Sequence, residues 1–103
     1  MEATTIFRNY ENTEFYLYDH LSGVMTMLVD DGCLKGMYTR CDSKSAHLAR
    51  KFHKEQIEGV PYEHRLFEPL NREQFNARFC KVVDALNRNL VQTLDCTDDT
   101  TEL

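Results

Sequence analysis

The dipeptide Asp31-Gly32 joins two runs of seven residues, 24–30 (VMTMLVD) and 33–39 (CLKGMYT), with nothing else between them. Runs of that length and composition describe strands, and Asp-Gly accepts the positive φ that a two-residue type I′ hairpin demands. The first half of the chain is thereby committed to an antiparallel hairpin. With this loop, Val29 is expected opposite Leu34, Met27 opposite Gly36 and Met25 opposite Tyr38. Side chains alternate along a strand, so one face would carry Met25, Met27, Val29, Leu34 and Tyr38, and the other Val24, Thr26, Leu28, Lys35 and Met37.

Residues 13–19 (TEFYLYD) extend the hairpin into a meander through the turn at 20–23. If that turn keeps parity, Tyr16 and Tyr18 join the first face, and Phe15 and Leu17 the second. A further strand is expected around residues 4–8 (TTIFR), with Glu11-Asn12 as the turn. Neither face is purely polar. Either both are covered, or one is a contact surface.

The period then changes. Asp42 or Ser43 can cap a helix that ends before Gly59-Val60-Pro61. At 100° per residue, Ala46, Leu48, Ala49, Phe52 and Ile57 share the side expected to face the core. Lys44, His47, Arg50, Lys51 and Lys54 form a basic face opposite. Residues 62–70, bracketed by Pro61 and Pro69, read as a loop with a short strand. A second helix follows over residues 72–94: Asn71 and Gln74 resemble a capping box, and Leu70 can staple onto Phe75. Its stripe is Phe75, Phe79, Val82, Val83, Leu86, Leu90 and Leu94. That helix would be about 35 Å long, and a seven-residue strand only about 23 Å. The overhang needs cover from the first helix, the N-terminal segment or a second subunit, and self-association at micromolar concentration is expected.

The fold class expected is α+β: an N-terminal antiparallel sheet of three or four strands, then two helices packed on one face. Residues 1–94 form the domain and 95–103 an acidic flexible tail. That tail has four acids, no base and too little apolar content to offset its ordering entropy.

Composition narrows the function classes. Among 103 residues, 12 Lys and Arg face 17 Asp and Glu, a formal charge of −5 that argues against coating nucleic acid by bulk charge. The charge is uneven: residues 42–94 carry nine bases and seven acids, between an acidic front and an acidic tail. There is no apolar run of membrane-spanning length, and Met1 to Tyr10 lack the pattern of a secretory signal, so a cytoplasmic protein is expected. Cys33, Cys41, Cys80 and Cys96 contain no close pair of the kind that holds zinc, and free thiols are expected. No metal and no cofactor are expected. The four glycines form no phosphate-cradling loop.

Catalytic readings are weak. Cys41 at the entrance of the first helix has basic groups one turn on, but Asp42 opposes their field. His47 and His53 are six apart and cannot form an i, i+4 ligand pair. Glu63-His64 sits in irregular chain. The chain therefore reads as no enzyme but a small binding protein that regulates or inhibits a larger protein partner. Tyr16, Tyr18 and Tyr38 on the sheet are its expected contact residues. Compact acidic chains of this sort are compatible with phage or mobile-element accessory proteins. Two alternatives stand beside this: a nucleic-acid-contacting regulator using Lys44, His47, Arg50, Lys51 and Lys54, and a non-catalytic subunit of an enzyme complex.

Overall fold

The structure, a computed structural model, describes residues 3–102, with side chains up to residue 88 apart from Tyr62. Four strands follow one another as a meander: β1 (Thr4–Asn9), β2 (Glu14–Asp19), β3 (Met25–Asp31) and β4 (Leu34–Arg40). After helix α1 (Ser43–Glu58) and a 3-10 turn, the short strand β5 (Phe67–Pro69) returns to the outside of β1, and helix α2 (Arg72–Glu102) follows. The sheet is antiparallel throughout, in the order β4-β3-β2-β1-β5. The α+β architecture matches the expectation from sequence, with β5 as the fifth strand.

The β3/β4 register differs from the expected one by two residues. Asp31 pairs with Leu34, Val29 with Gly36, Met27 with Tyr38 and Met25 with Arg40. The turn is Gly32-Cys33, and among described residues around it only Gly32 has a positive φ, 58°. A positive φ at the first central residue alone fits type II′. A shift of two keeps every side chain on its expected face. It also sets Asp30 opposite Lys35, 2.7 Å from carboxylate to ammonium. In the I′ register Asp30 would have faced Cys33, and that pairing would have been lost.

The two helices lie on opposite faces of the sheet, not on one. Phe7, Tyr16, Met25 and Phe67 pack with Ala49 and Phe52 of α1. Phe15 and Leu28 pack with Phe75 and Val82 of α2, together with Ile6, Leu17, Leu70 and Leu86. Each face has its own fully buried aromatic, so each requires its own cover. Phe7 is the centre of the first layer: it stacks on Phe52 at 4.5 Å and on Tyr16 at 4.8 Å, and meets Phe67 edge-on at 5.3 Å. Such ring pairs add about 0.5–1.5 kcal/mol each beyond their area.

Asp42 caps α1 by accepting from the Ser45 amide at 2.9 Å, and Gly59 ends the helix with φ 64°. Its inward line is Ser45, Ala49, Phe52 and Glu55. Ile57, expected inside, is 83% exposed, because it lies about 140° from Phe52 around the helix. The capping box of α2 is present: the Gln74 amide donates to Asn71 Oδ1 at 2.8 Å, and the Asn71 amide to Gln74 Oε1 at 3.0 Å. Phe79, assigned to the inner stripe, is 37% exposed. The backbone of α2 continues past Leu94, and no Gly or Pro after residue 71 interrupts it. The expected flexibility of residues 95–103, and the packing of Leu90 and Leu94, lie outside the described side chains.

What fastens α2 to its face is Asp30. Its carboxylate is 4% exposed and meets Lys35 of β4 at 2.7 Å, Arg78 of α2 at 2.8 Å and Lys81 of α2 at 3.1 Å. Arg78 also lies over the Phe15 ring, 5.0 Å from its centroid. The hydrogen bond from Lys35, joined by those from Lys81 and Arg78, holds the carboxyl down to about 2 despite its burial. The stability this contributes is complete above about pH 5 and is lost as the pH falls toward 2. Asp30→Asn is expected to lower unfolding free energy by about 2 kcal/mol at pH 7, since it leaves cations without their buried partner. Urea unfolding at pH 7 and pH 3 checks this: the difference between wild type and variant should shrink at the lower pH, and a constant difference contradicts the assignment.

Candidate functional site

With a helix packed on each face, the backbone groups of the sheet that remain open lie at its edges. Along β5 itself the edge is closed. The ladder of β1 and β5 turns Phe67 and Pro69 outward, since Phe67 pairs with Asn9 while the alternate residue Tyr10 donates its amide to the Leu66 carbonyl at 2.9 Å. Proline has no N–H. The Phe67 amide is taken by Glu55 Oε1 at 3.1 Å and the Leu66 amide by Glu55 Oε2 at 2.9 Å. A buried helix carboxylate therefore stands where a sixth strand would begin.

The β4 edge is open and seven residues long. Residues flanking a two-residue hairpin turn exchange both backbone bonds, so Leu34, Gly36, Tyr38 and Arg40 bond to β3. Lys35, Met37 and Thr39 then direct N–H and C=O away from the sheet, with no strand beyond them. The strand contains no proline, and apolar side chains remain at its surface: Leu34 is 64%, Met37 40% and Tyr38 43% exposed.

Beside that edge runs a groove of about 580 Å³ between the end of β4 and the first half of α1, lined by Arg40, Ser43, Lys44, His47, Leu48, Arg50 and Lys51. Leu48 packs on the core cluster and forms the apolar floor. No acid lines the groove. At its lip Asp42 accepts from Arg40 at 2.9 Å. The Ser45 amide, followed by Arg40, holds the Asp42 carboxyl down to about 2, so it stays an anion while it caps α1. Lys54, counted with the basic face, lies outside the groove lining and 3.9 Å from Glu58.

The three tyrosines separate. Tyr16 is 4% exposed under α1 and donates its hydroxyl to Glu14 Oε1 at 2.6 Å; burial, then Glu14, pushes that phenol well above its usual range. Tyr18 is half-buried against the same cluster, with its ring edge-on to His20 at 5.1 Å. Tyr16 is closed off from any contact surface because α1 covers it, and Tyr18 keeps only part of its side chain at the surface. Tyr38 does reach solvent, on the same face of β4 as Arg40 and two residues from it, so it borders the groove. Arg40 and the outward backbone of β4 had no signal in the sequence; only the strand order reveals that β4 is last.

The residues weighed for catalysis lie apart. Cys41 is exposed, with Sγ 3.7 Å from the Ser22 carbonyl. The His53 ring is 6.1 Å from that of His20, while His47 lines the cationic groove. Glu63 and His64 are exposed in the 3-10 turn. Among the described residues no His, Cys, Asp and Glu cluster could hold a metal ion, and no helix is long and apolar enough to cross a membrane. Compared with models of protein families, with curated proteins and with solved structures, the chain matches none.

The closure of the β5 edge is testable through Glu55. Glu55→Gln presents one acceptor to two amides and is expected to cost about 2 kcal/mol. Hydrogen exchange at the Leu66 and Phe67 amides should accelerate at least tenfold more than at core amides of β2. Exchange unchanged at both sites would show that Glu55 does not hold them.

Proposed function

We propose that the chain is a non-catalytic protein-binding module that regulates or inhibits a larger partner by taking an extended, acidic segment of it along β4. The observation that carries this reading is the asymmetry of the edges: one is closed by Glu55 and Pro69, and the other offers the backbone of Lys35, Met37 and Thr39. Strand addition derives affinity from such main-chain groups and specificity from alternate side chains. Leu34 and Tyr38 on one side of the edge and Met37 on the other supply those contacts. The acidic character of the occupant follows from Arg40, Lys44, Arg50 and Lys51 in the adjoining groove, a local positive field on a chain of charge −5.

The cations alone would suit a nucleic-acid backbone equally well. Exposed Leu34 and Met37 beside an unpaired strand favour a peptide, which can use both features. Self-association through α2 belongs to the same proposal: the helix has 31 residues, about 46 Å at 1.5 Å per residue, and Phe79 on it is exposed.

Selection from a random decapeptide display library tests the reading, with Met37→Pro and Met37→Thr as paired variants. Proline removes an outward N–H without touching the bonds to β3, whereas threonine keeps it. Selected peptides should alternate β-branched residues and carry Asp or Glu. Their affinity should fall at least tenfold, about 1.4 kcal/mol, in Met37→Pro and remain within threefold in Met37→Thr. Equal binding to both variants contradicts strand addition. Salt-steep binding of DNA or RNA that disappears when Lys44, Arg50, Lys51 and Lys54 are changed to Glu would install the nucleic-acid reading instead.

A further inference from the structure

At the far end of α1 from the cationic groove, the sheet is incomplete. β1 has six residues and β5 only three, so β5 covers Phe7 to Asn9 and leaves the outer side of the first half of β1 without a strand. The chain leaves the sheet at Leu70, whose amide donates to the Ile6 carbonyl at 3.0 Å. The gap is a cavity of about 730 Å³ bounded by Ala3 and the first three residues of β1, by Phe52, His53 and Gln56 of α1, and by residues 69–72. That size lies within the usual range for small-ligand sites, about 300–1,000 Å³.

Its walls are held in place independently of any occupant. Phe52 is 5% exposed and stacked on Phe7, Pro69 is paired with Phe7 in the sheet, and the capping box fixes Asn71. Since the Ile6 carbonyl points to the outer edge, ladder alternation turns the N–H groups of Ile6 and Thr4 the same way. β5 does not reach Thr4 or Ile6, and no described backbone carbonyl outside the ladder accepts from either amide. Arg72 stands at the mouth, with one long contact to Thr4 Oγ1 at 3.5 Å and no carboxylate partner among the described residues. None of the lining residues is acidic, in a chain where acids outnumber Lys and Arg.

We propose that this cavity is a binding site for a small amphipathic organic anion. The anionic head accepts from the outward β1 amides and from the Arg72 guanidinium, and the flat apolar body lies on Phe52, Pro69 and Leu70. The β1 amides are fixed in the strand before binding, so that part of the site exchanges water for the head without ordering the backbone, and Arg72 adds its charge from the mouth. The site is independent of the β4 edge, since it shares no residue with it.

The probe that tests the site is 8-anilinonaphthalene-1-sulfonate, an aromatic body with one fixed negative charge, titrated into the full chain by fluorescence and by amide chemical shifts. The expected result is saturable one-to-one binding with shifts at Thr4, Ile6 and Arg72, and an affinity at least tenfold lower in Arg72→Gln. Gln56→Trp, on an exposed position of α1, fills the cavity from its rim and should abolish binding while circular dichroism stays unchanged. Absence of saturable binding, binding that survives either substitution, or shifts confined to the β4 edge would overturn the proposal.

Discussion

Asp30 is withdrawn almost wholly from water, and an ion in that position is tolerable only because Lys35, Arg78 and Lys81 converge on it. Removing a carboxylate from solvent costs several kcal/mol even after relaxation, so cations on β4 and α2 must arrive together. That requirement links three elements. It selects the hairpin register in which Asp30 and Lys35 are opposite, and it brings α2 to the face that Phe15 and Leu28 define. The other face is left to α1 and the aromatic layer around Phe7. A five-stranded sheet between two helices follows, with each face of the sheet packed against a helix.

In the proposed function, recognition is thereby moved from the faces to the edges. The helix that covers the Phe7 layer also differentiates the two edges, because its inward line ends in Glu55 and its first half presents Lys44, His47 and Lys51 outward. Glu55 takes the outward Phe67 amide that a further strand would otherwise use, and Pro69 has none to offer. Exposed edges are hazards that proteins commonly blunt with charge, proline or short strands. Here those devices are concentrated on the β5 side. Lys35, which would guard β4, is instead drawn onto the α2 face by Asp30, and the edge keeps Leu34, Met37 and Tyr38 at its surface.

Local chemistry was legible in the sequence wherever the responsible groups are neighbours. Asp42 and Gly59 mark α1, Asn71 and Gln74 start α2, and strand alternation assigns every hairpin side chain to its face. The register was not legible, because Asp-Gly satisfies a type I′ turn locally while the deciding Asp30–Lys35–Arg78 contacts span up to 48 residues. The burial of Tyr16, expected at the contact surface, escaped the sequence for a related reason. Parity tells which residues share a face, but not that α1 will cover it. Ile57 shows the converse, an apolar residue at the end of a helix whose inward line finishes on a carboxylate. Of the expected contact residues, Tyr38, Lys44, His47, Arg50 and Lys51 gather around one edge, which only the return of β5 to β1 makes the last in the sheet.

The open β4 edge is the claim on which the functional account stands, and residue-resolved hydrogen exchange of the isolated chain at low micromolar concentration tests it most directly. Leu34, Gly36, Tyr38 and Arg40 should be protected through their bonds to β3, and Lys35, Met37 and Thr39 should exchange at least a hundredfold faster. An alternating pattern of that kind is what an uncovered edge strand produces. Uniform protection from Leu34 to Arg40 would mean that the edge is already paired, with a second copy or with this chain's own residues, and the account would fail.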